Sequence, residues 1–445
     1  MKKLLAKYKE DINNNFAENI KSALAIKDYL EHSPVAYHGR CVHTLHIPKV
    51  FDEKVIEYFR EIVKTTYGIF TKVINEYLTN KEYRKLFPFS PELQALIDAP
   101  RGYECVLPIA RFDIFFNEDD WSFKFCEINT DGTSAMLEDY ILNKSLGENI
   151  AHQKIAKECQ LQTFELFDSW VEGFMDIYNT FDKKVEKPYI AIVDFLENAS
   201  ITEFEEFKKR FEAAGYETEI CEISEMKYDN GKLYSPTGHL VDAVYRRAVT
   251  SDIMARQVDA AAFIQAVKAG NTCIIGAFCT QIIHNKTLFK VLTDEITQKQ
   301  ILTDEEIEFV AEHIPATNYL DTKYCCLENV KEMKDKLIIK PLDSYGSKGV
   351  YAGIDYSQEK WDGLVEDSIR NGDYLYQEYC PPYRTDNIYL VEEKPQWKRY
   401  TNMSGLFVYN GKLAGVYSRL SDGGIISSQY NEKAVATMYV DKSVK

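Results

Sequence analysis

Apolar residues recur at three- and four-residue spacing through DEKVIEYFREIVKTTYGIFTKVINEYLTN, residues 52–80, which predicts a long helix with one buried face. The start, MKKLLAKYKEDINNNFAENI, reads as a second amphipathic helix, so residues 1–100 are expected to form a helical cap. The period then falls to two. ARFDIFF and FKFCEIN, separated by the polar turn NEDDWS, predict a strand, a turn and a strand. Alternation puts Arg111, Asp113 and Phe115 on one side of the first strand. It puts Phe125, Glu127 and Asn129 on one side of the second, so polar side chains are expected to face a common cleft.

A helix-rich connection runs to about residue 184. KPYIAIVDF then reads as a buried strand, SITEFEEFKKRFEAAG as a helix with a Ser or Thr cap and a terminal Gly, and YETEICEI as a strand. KYDNGKLY is a hairpin with an Asn-Gly turn. LVDAVYRRAV as a strand, SDIMARQVDAAAFIQAVKAGN as a helix and TCIIGAF as a strand complete a small α/β layer. Its first turn lacks GxGxxG, which argues against a dinucleotide fold. The remainder alternates strands and short turns, with a second Asn-Gly hairpin at Asn410 and Gly411. No internal repeat or low-complexity linker is seen.

Composition narrows the partners. The chain has 445 residues, enough for two or three domains, and its 69 acidic against 53 basic residues give a net charge of −16. That charge disfavours nucleic acid and anionic membrane surfaces. Charges at Lys7, Lys9, Glu10 and Asp11 interrupt any signal-peptide core, and no window offers the roughly 20 apolar residues that span a bilayer, so a cytoplasmic location is expected. The ten cysteines form no CxxC pair and read as reduced, small apolar residues. The eight histidines form no HxH or HxxxH pattern of the kind a structural zinc site uses.

Three stretches carry candidate chemistry. Asp113, Glu127 and Asn129 offer the hard oxygen ligands that Mg2+ prefers; the bland alternatives are that the two acids are exposed positions on an edge hairpin, or that they pair with Arg111. In KLIIKPLDSYGSKGV, Lys340 ends an apolar strand before a loop containing Gly346 and Gly349. An ammonium and loop amides there would surround phosphate oxygens, although a lysine in this setting is more often a solvated strand end. Arg419, on a strand before a glycine pair, would serve either as a phosphate partner or in a salt bridge.

The joint order is more specific than any one stretch. Arg-x-Asp, Glu-x-Asn-x-Asp, an Asn-Lys opening a helix (Asn285, Lys286), Lys340-Pro341, Gln377-Glu378 and the late Arg419 resemble the synthetase domain of glutathionylspermidine synthetase. That domain belongs to the permuted ATP-grasp superfamily. The resemblance spans roughly residues 100–445, without the amidase half of the bifunctional members. It implies an α/β (α+β) permuted ATP-grasp fold, divided as a helical region 1–100, metal-binding strands and connecting helices 101–184, a small α/β domain 185–280 and a nucleotide-binding part 281–445.

The resemblance also implies an ATP-dependent carbon–nitrogen ligase, with a small-molecule or peptide carboxylate and an amine as co-substrates and ATP and Mg2+ as cofactors. Asp113, Glu127 and Asn129 would hold Mg2+, and Arg111 would contact the transferred phosphate. Lys286 and Lys340 would bind ATP phosphates, with Arg419 on the terminal ones. The strand from Tyr376 to Cys380, including Gln377, Glu378 and Tyr379, would meet the adenine edge, and residues 343–349 would close as a lid. The alternative is a catalytically degenerate ATP-binding scaffold of the same fold. Arg246 and Arg247 are further candidates for a substrate carboxylate, and strand geometry lets at most one of them point into a given cleft.

Overall fold

The protein is described by a computed structural model over residues 2–35, 42–344, 348–426 and 431–440. Its centre is a six-stranded antiparallel sheet in which the early hairpin, Ile109–Phe116 and Phe123–Asn129, pairs with the late strands Trp397–Tyr409, Lys412–Ser421 and Lys433–Val435. Arg384–Ile388 joins the far half of Trp397–Tyr409. One face is apolar: Phe112, Ile114, Phe116, Leu406 and Val408 pack under the helix Glu53–Thr79 through Val55, Phe59 and Ile62. Phe59 meets Phe116 edge-on, with ring centres 4.9 Å apart. The other face carries Arg111 and Asp113.

A second, four-stranded antiparallel sheet runs in the order Thr317–Tyr319, Tyr374–Glu378, Leu337–Pro341, Tyr351–Ala352. The helix Gln358–Asn371 covers it, burying Trp361 and Val365 against Leu337 and Ile339. The small α/β layer is all parallel, ordered Cys273–Ile275, Ala243–Arg246, Ile190–Asp194, Thr218–Glu222.

Both Asn-Gly hairpins form, with Asn230, Gly231, Asn410 and Gly411 all at positive φ (49°, 79°, 45° and 79°) as a tight two-residue hairpin turn requires. The helix Ile201–Ala213 ends before Gly215, but Ser200 makes no side-chain cap bond. The Ser-x-x-Glu pattern fails because Glu203 turns inward to Arg247 and to the amide of Leu137. The single helix expected over 251–271 is two, Thr250–Ala255 and Ala261–Ala269, broken where Arg256 leaves helical geometry and pairs with Glu197 and Asp259. The helical cap also contains the strand Lys49–Asp52, parallel to Thr437–Val440. Four residues give no readable period, and their partner lies near the other end of the chain.

Cys105, Cys126, Cys159, Cys221, Cys273, Cys279, Cys325, Cys326 and Cys380 are free thiols. Among the described residues, no helix is long and apolar enough to cross a membrane.

Candidate functional site

The hairpin places Arg111 opposite Asn129 and Asp113 opposite Glu127, as alternation predicts. Beyond that point the register steps to Ile114 opposite Phe125, so Cys126 is an extra, bulged residue. The bulge corrects one expectation. Phe125 turns away from Glu127 and Asn129 to the core side, where it meets Phe123 and Phe309 at 5.5 and 6.4 Å between ring centres.

Asp113 is wholly buried and accepts four hydrogen bonds: from Arg111 Nε at 2.7 Å and Nη2 at 3.0 Å, from Arg419 Nη2 at 3.0 Å and from Asn129 Nδ2 at 3.1 Å. Arg111 Nη1 donates to the Ser134 carbonyl at 2.9 Å, and Arg419 Nη1 to Glu432 at 3.2 Å. Burial opposes the charge on Arg419, but Glu432 and Asp113 outweigh it and raise its pKa. Two guanidinium groups thus converge on one carboxylate, and removing either partner would strand a buried charge. Beside them Glu138 accepts from the Tyr417 hydroxyl; burial, reinforced by Glu432, pushes its carboxyl up to about 7.

Lys286 follows Asn285, whose side chain accepts from the amide of Thr287 as the helix Thr287–Leu292 begins. Its ammonium lies 3.0 Å from Glu127 Oε1 and donates to the Ser344 carbonyl at 3.1 Å. Burial alone would raise the Glu127 carboxyl; Lys286 first, then Lys340 and His284, overcome this and hold it down to about 2. Lys340 donates to Gln377 Oε1 at 2.8 Å and to the carbonyl of the bulged Cys126 at 3.1 Å.

On the proposed adenine strand, Gln377 therefore points inward rather than towards an open edge. Glu378 is exposed with its amide on Ala316, and the Tyr379 hydroxyl reaches the Gly424 carbonyl at 3.2 Å. Gly349 sits at φ 72°, where an added Cβ would lie 2.7 Å from the Tyr374 hydroxyl, so the close turn there requires glycine. Gly346 lies outside the described residues, as does the centre of the expected lid.

Arg246 and Arg247 are brought to the interior rather than to a cleft. Arg246 pairs with Asp131 at 2.7 Å and Arg247 with Glu203 at 2.9 Å, every one of these side chains at most 4% exposed. With the Thr250 amide on Asp131, an Arg247 hydrogen bond to the Thr133 carbonyl and the Thr130 hydroxyl on the Thr280 carbonyl, the pair Arg246–Asp131 clamps the turn at residues 130–136 onto the α/β layer.

Sequence reasoning passed over Glu432, Glu138, Thr317 and Gly405. Gly405 stands opposite Asp113, and a Cβ on it would lie 2.8 Å from Arg111 Cδ and 2.9 Å from Asp113 Oδ1. Its signal was a lone glycine inside a long strand pattern, which marks a close approach. Among the described residues, no group of three or more His, Cys, Asp or Glu converges in a way that could hold a metal. Asp113, Glu127 and Asn129 carry the hard oxygens that Mg2+ prefers, but both Asp113 oxygens already accept from Arg111, Arg419 and Asn129.

No family model and no curated protein matches the sequence. Among solved structures, the chain is similar to a glutathione synthetase-like effector from Globodera pallida in its apo form. The identity is 12%, over 95% of this chain and 97% of that one, with a TM-score of 0.61. It also matches a putative gamma-glutamylcysteine synthetase from Methylobacillus flagellatus KT at 8% identity, over 88% and 90% of the two chains, with a TM-score of 0.45. The likeness to the effector, over nearly the whole of both chains, shows a shared fold, and the mixed helices and sheets are those of the α+β ATP-grasp fold.

Proposed function

We propose that the protein is an ATP-dependent carboxylate–amine ligase, similar to glutathionylspermidine synthetase, that forms an amide through an acyl phosphate and releases ADP and phosphate. The observation that carries this reading is the convergence of Arg111, Arg419, Lys286 and Lys340 on Asp113 and Glu127. Three buried cations and the half-buried Arg419 meet three acids, Asp113, Glu127 and Glu432, a surplus of positive charge that suits a polyphosphate. The likeness to a glutathione synthetase-like effector agrees with a ligase.

In this reading the substrate carboxylate attacks the γ-phosphorus of ATP, and ADP leaves. The amine then adds to the acyl carbon, and phosphate departs from the tetrahedral adduct. Lys286 and Lys340 bind the phosphates, Arg111 and Arg419 face the charge that develops on the transferred group, and the buried setting keeps water from the acyl phosphate. Asp113, Glu127 and Asn129 would hold Mg2+, which when bound neutralises phosphate charge. No side-chain nucleophile is needed.

The test is ADP release with Mg-ATP and paired acids and amines. Glu127→Gln and Lys340→Ala are each expected to lower the rate by about 10² to 10³; release at the parent rate would refute the site. Mg-ATP at 100 times its Kd is expected to stabilise the fold by about 2.7 kcal/mol. Stabilisation without amine-dependent ADP release would instead identify a binding scaffold.

A further inference from the structure

Thr317, Gln377 and Lys340 lie on one face of the four-stranded sheet. Thr317 is directly opposite Gln377, and Gln377 is opposite Ile338, two residues before Lys340. All three are buried, at 8%, 4% and 8% exposure. The Thr317 hydroxyl donates to the Pro315 carbonyl at 2.8 Å, so it meets Gln377 as an acceptor and takes a hydrogen from Nε2 at 2.8 Å. With the amino end of the amide fixed there, the carbonyl end is left to face Lys340. A flipped amide would set an NH2 against an ammonium, with donors on both sides.

We infer that Thr317 is a positioning residue for the nucleotide site: by fixing the Gln377 amide it aims the Lys340 ammonium, which the Cys126 carbonyl steadies from the other side. Thr317 itself needs no contact with ATP. The inference rests on the nucleotide reading of Lys340. It adds that a hydroxyl hidden beneath the sheet sets the affinity, because the lysine is held by an acceptor whose orientation has to be specified.

Calorimetric titration of the full chain with Mg-ATP tests this. Thr317→Val keeps the shape and removes the acceptor; Kd is expected to rise about tenfold, which is about 1.4 kcal/mol. Thr317→Ser keeps the hydroxyl and is expected to bind within about twofold of the parent. Gln377→Leu carries the same expectation as Thr317→Val and replaces it if the valine protein folds poorly. Combining the two is expected to cost little more than either alone, since they break one chain of contacts. A purely structural Thr317 would lower the thermal midpoint of the valine protein with Kd unchanged, and that result overturns the inference. Lys340→Ala separates the two failures. If it binds Mg-ATP as tightly as the parent, the nucleotide reading fails; if it loses binding while Thr317→Val does not, only the positioning role fails.

Discussion

Gly405 shows how one missing atom shapes the site. Its neighbour across the ladder is Asp113, and the space a Cβ would occupy holds the Arg111 side chain and the Asp113 carboxylate. Gly405→Ala is therefore expected to force the ion pair aside, lowering stability by about 1 to 3 kcal/mol in urea unfolding, as overpacking does. The kcat/KM for ADP release under the proposed reaction should fall further than that loss explains, by about 10², because a small displacement of the phosphate-facing guanidinium is costly. Parent-like turnover would show that the Arg111–Asp113 geometry does not matter to the reaction. At this scale the sequence was readable where residues sit close along the chain: Arg-x-Asp and Glu-x-Asn land opposite each other. Gly405 joins them only through strand pairing and Glu432 only through Arg419, each from roughly three hundred residues away, and the Cys126 bulge departs from alternation that no local residue type announces.

Helix starts illustrate the same limit for elements. Ser200 and Ser357 both precede amphipathic helices, yet only Ser357 caps its helix, accepting from the amide of Lys360. The difference is tertiary: Glu203, the third residue of the first helix, is drawn into the interior by Arg247 and serves the start of the helix Met136–Ser145 instead. Ser357→Ala is expected to cost about 1 kcal/mol. Ser200→Ala should stay within about 0.5 kcal/mol, the range of surface changes that touch no such contact. Amide hydrogen exchange adds a local readout: loss of the Ser357 cap should speed exchange in the helix Gln358–Asn371 first. Equal effects of the two alanines would contradict the cap assignment. The helix Glu53–Thr79, the Asn-Gly hairpins and the strands of the α/β layer were legible because each declares itself within a few turns of chain. The strand Lys49–Asp52 was not, since its partner strand Thr437–Val440 comes from the far end of the sequence and it is too short to show a period.

For the whole molecule, the buried pair Arg246–Asp131 and the hydrogen bond from Arg247 to the Thr133 carbonyl tie the α/β layer to the turn after the strand Phe123–Asn129, while the pair Arg247–Glu203 lies within the layer. Asp194 stands at the end of the strand next to Arg246, in the same parallel sheet, and burial pushes its carboxyl up to about 7 despite the opposing pull of Arg247. The sign follows from proton counting. Between the ordinary aspartate value near 4 and the native value near 7, the folded state holds a proton that the unfolded chain releases, so this residue's contribution to stability falls as pH rises through that window. Above pH 7 the native state carries the charge at its full cost. Asp194→Asn removes the titration while keeping the shape and the acceptor for the Phe195 amide. It is expected to raise the thermal midpoint over the parent at pH 8, with the gain shrinking steadily as pH is lowered from 7 to 5. A gain that stayed constant across that range would mean that Asp194 is charged throughout, and that Arg247, rather than burial, sets its state.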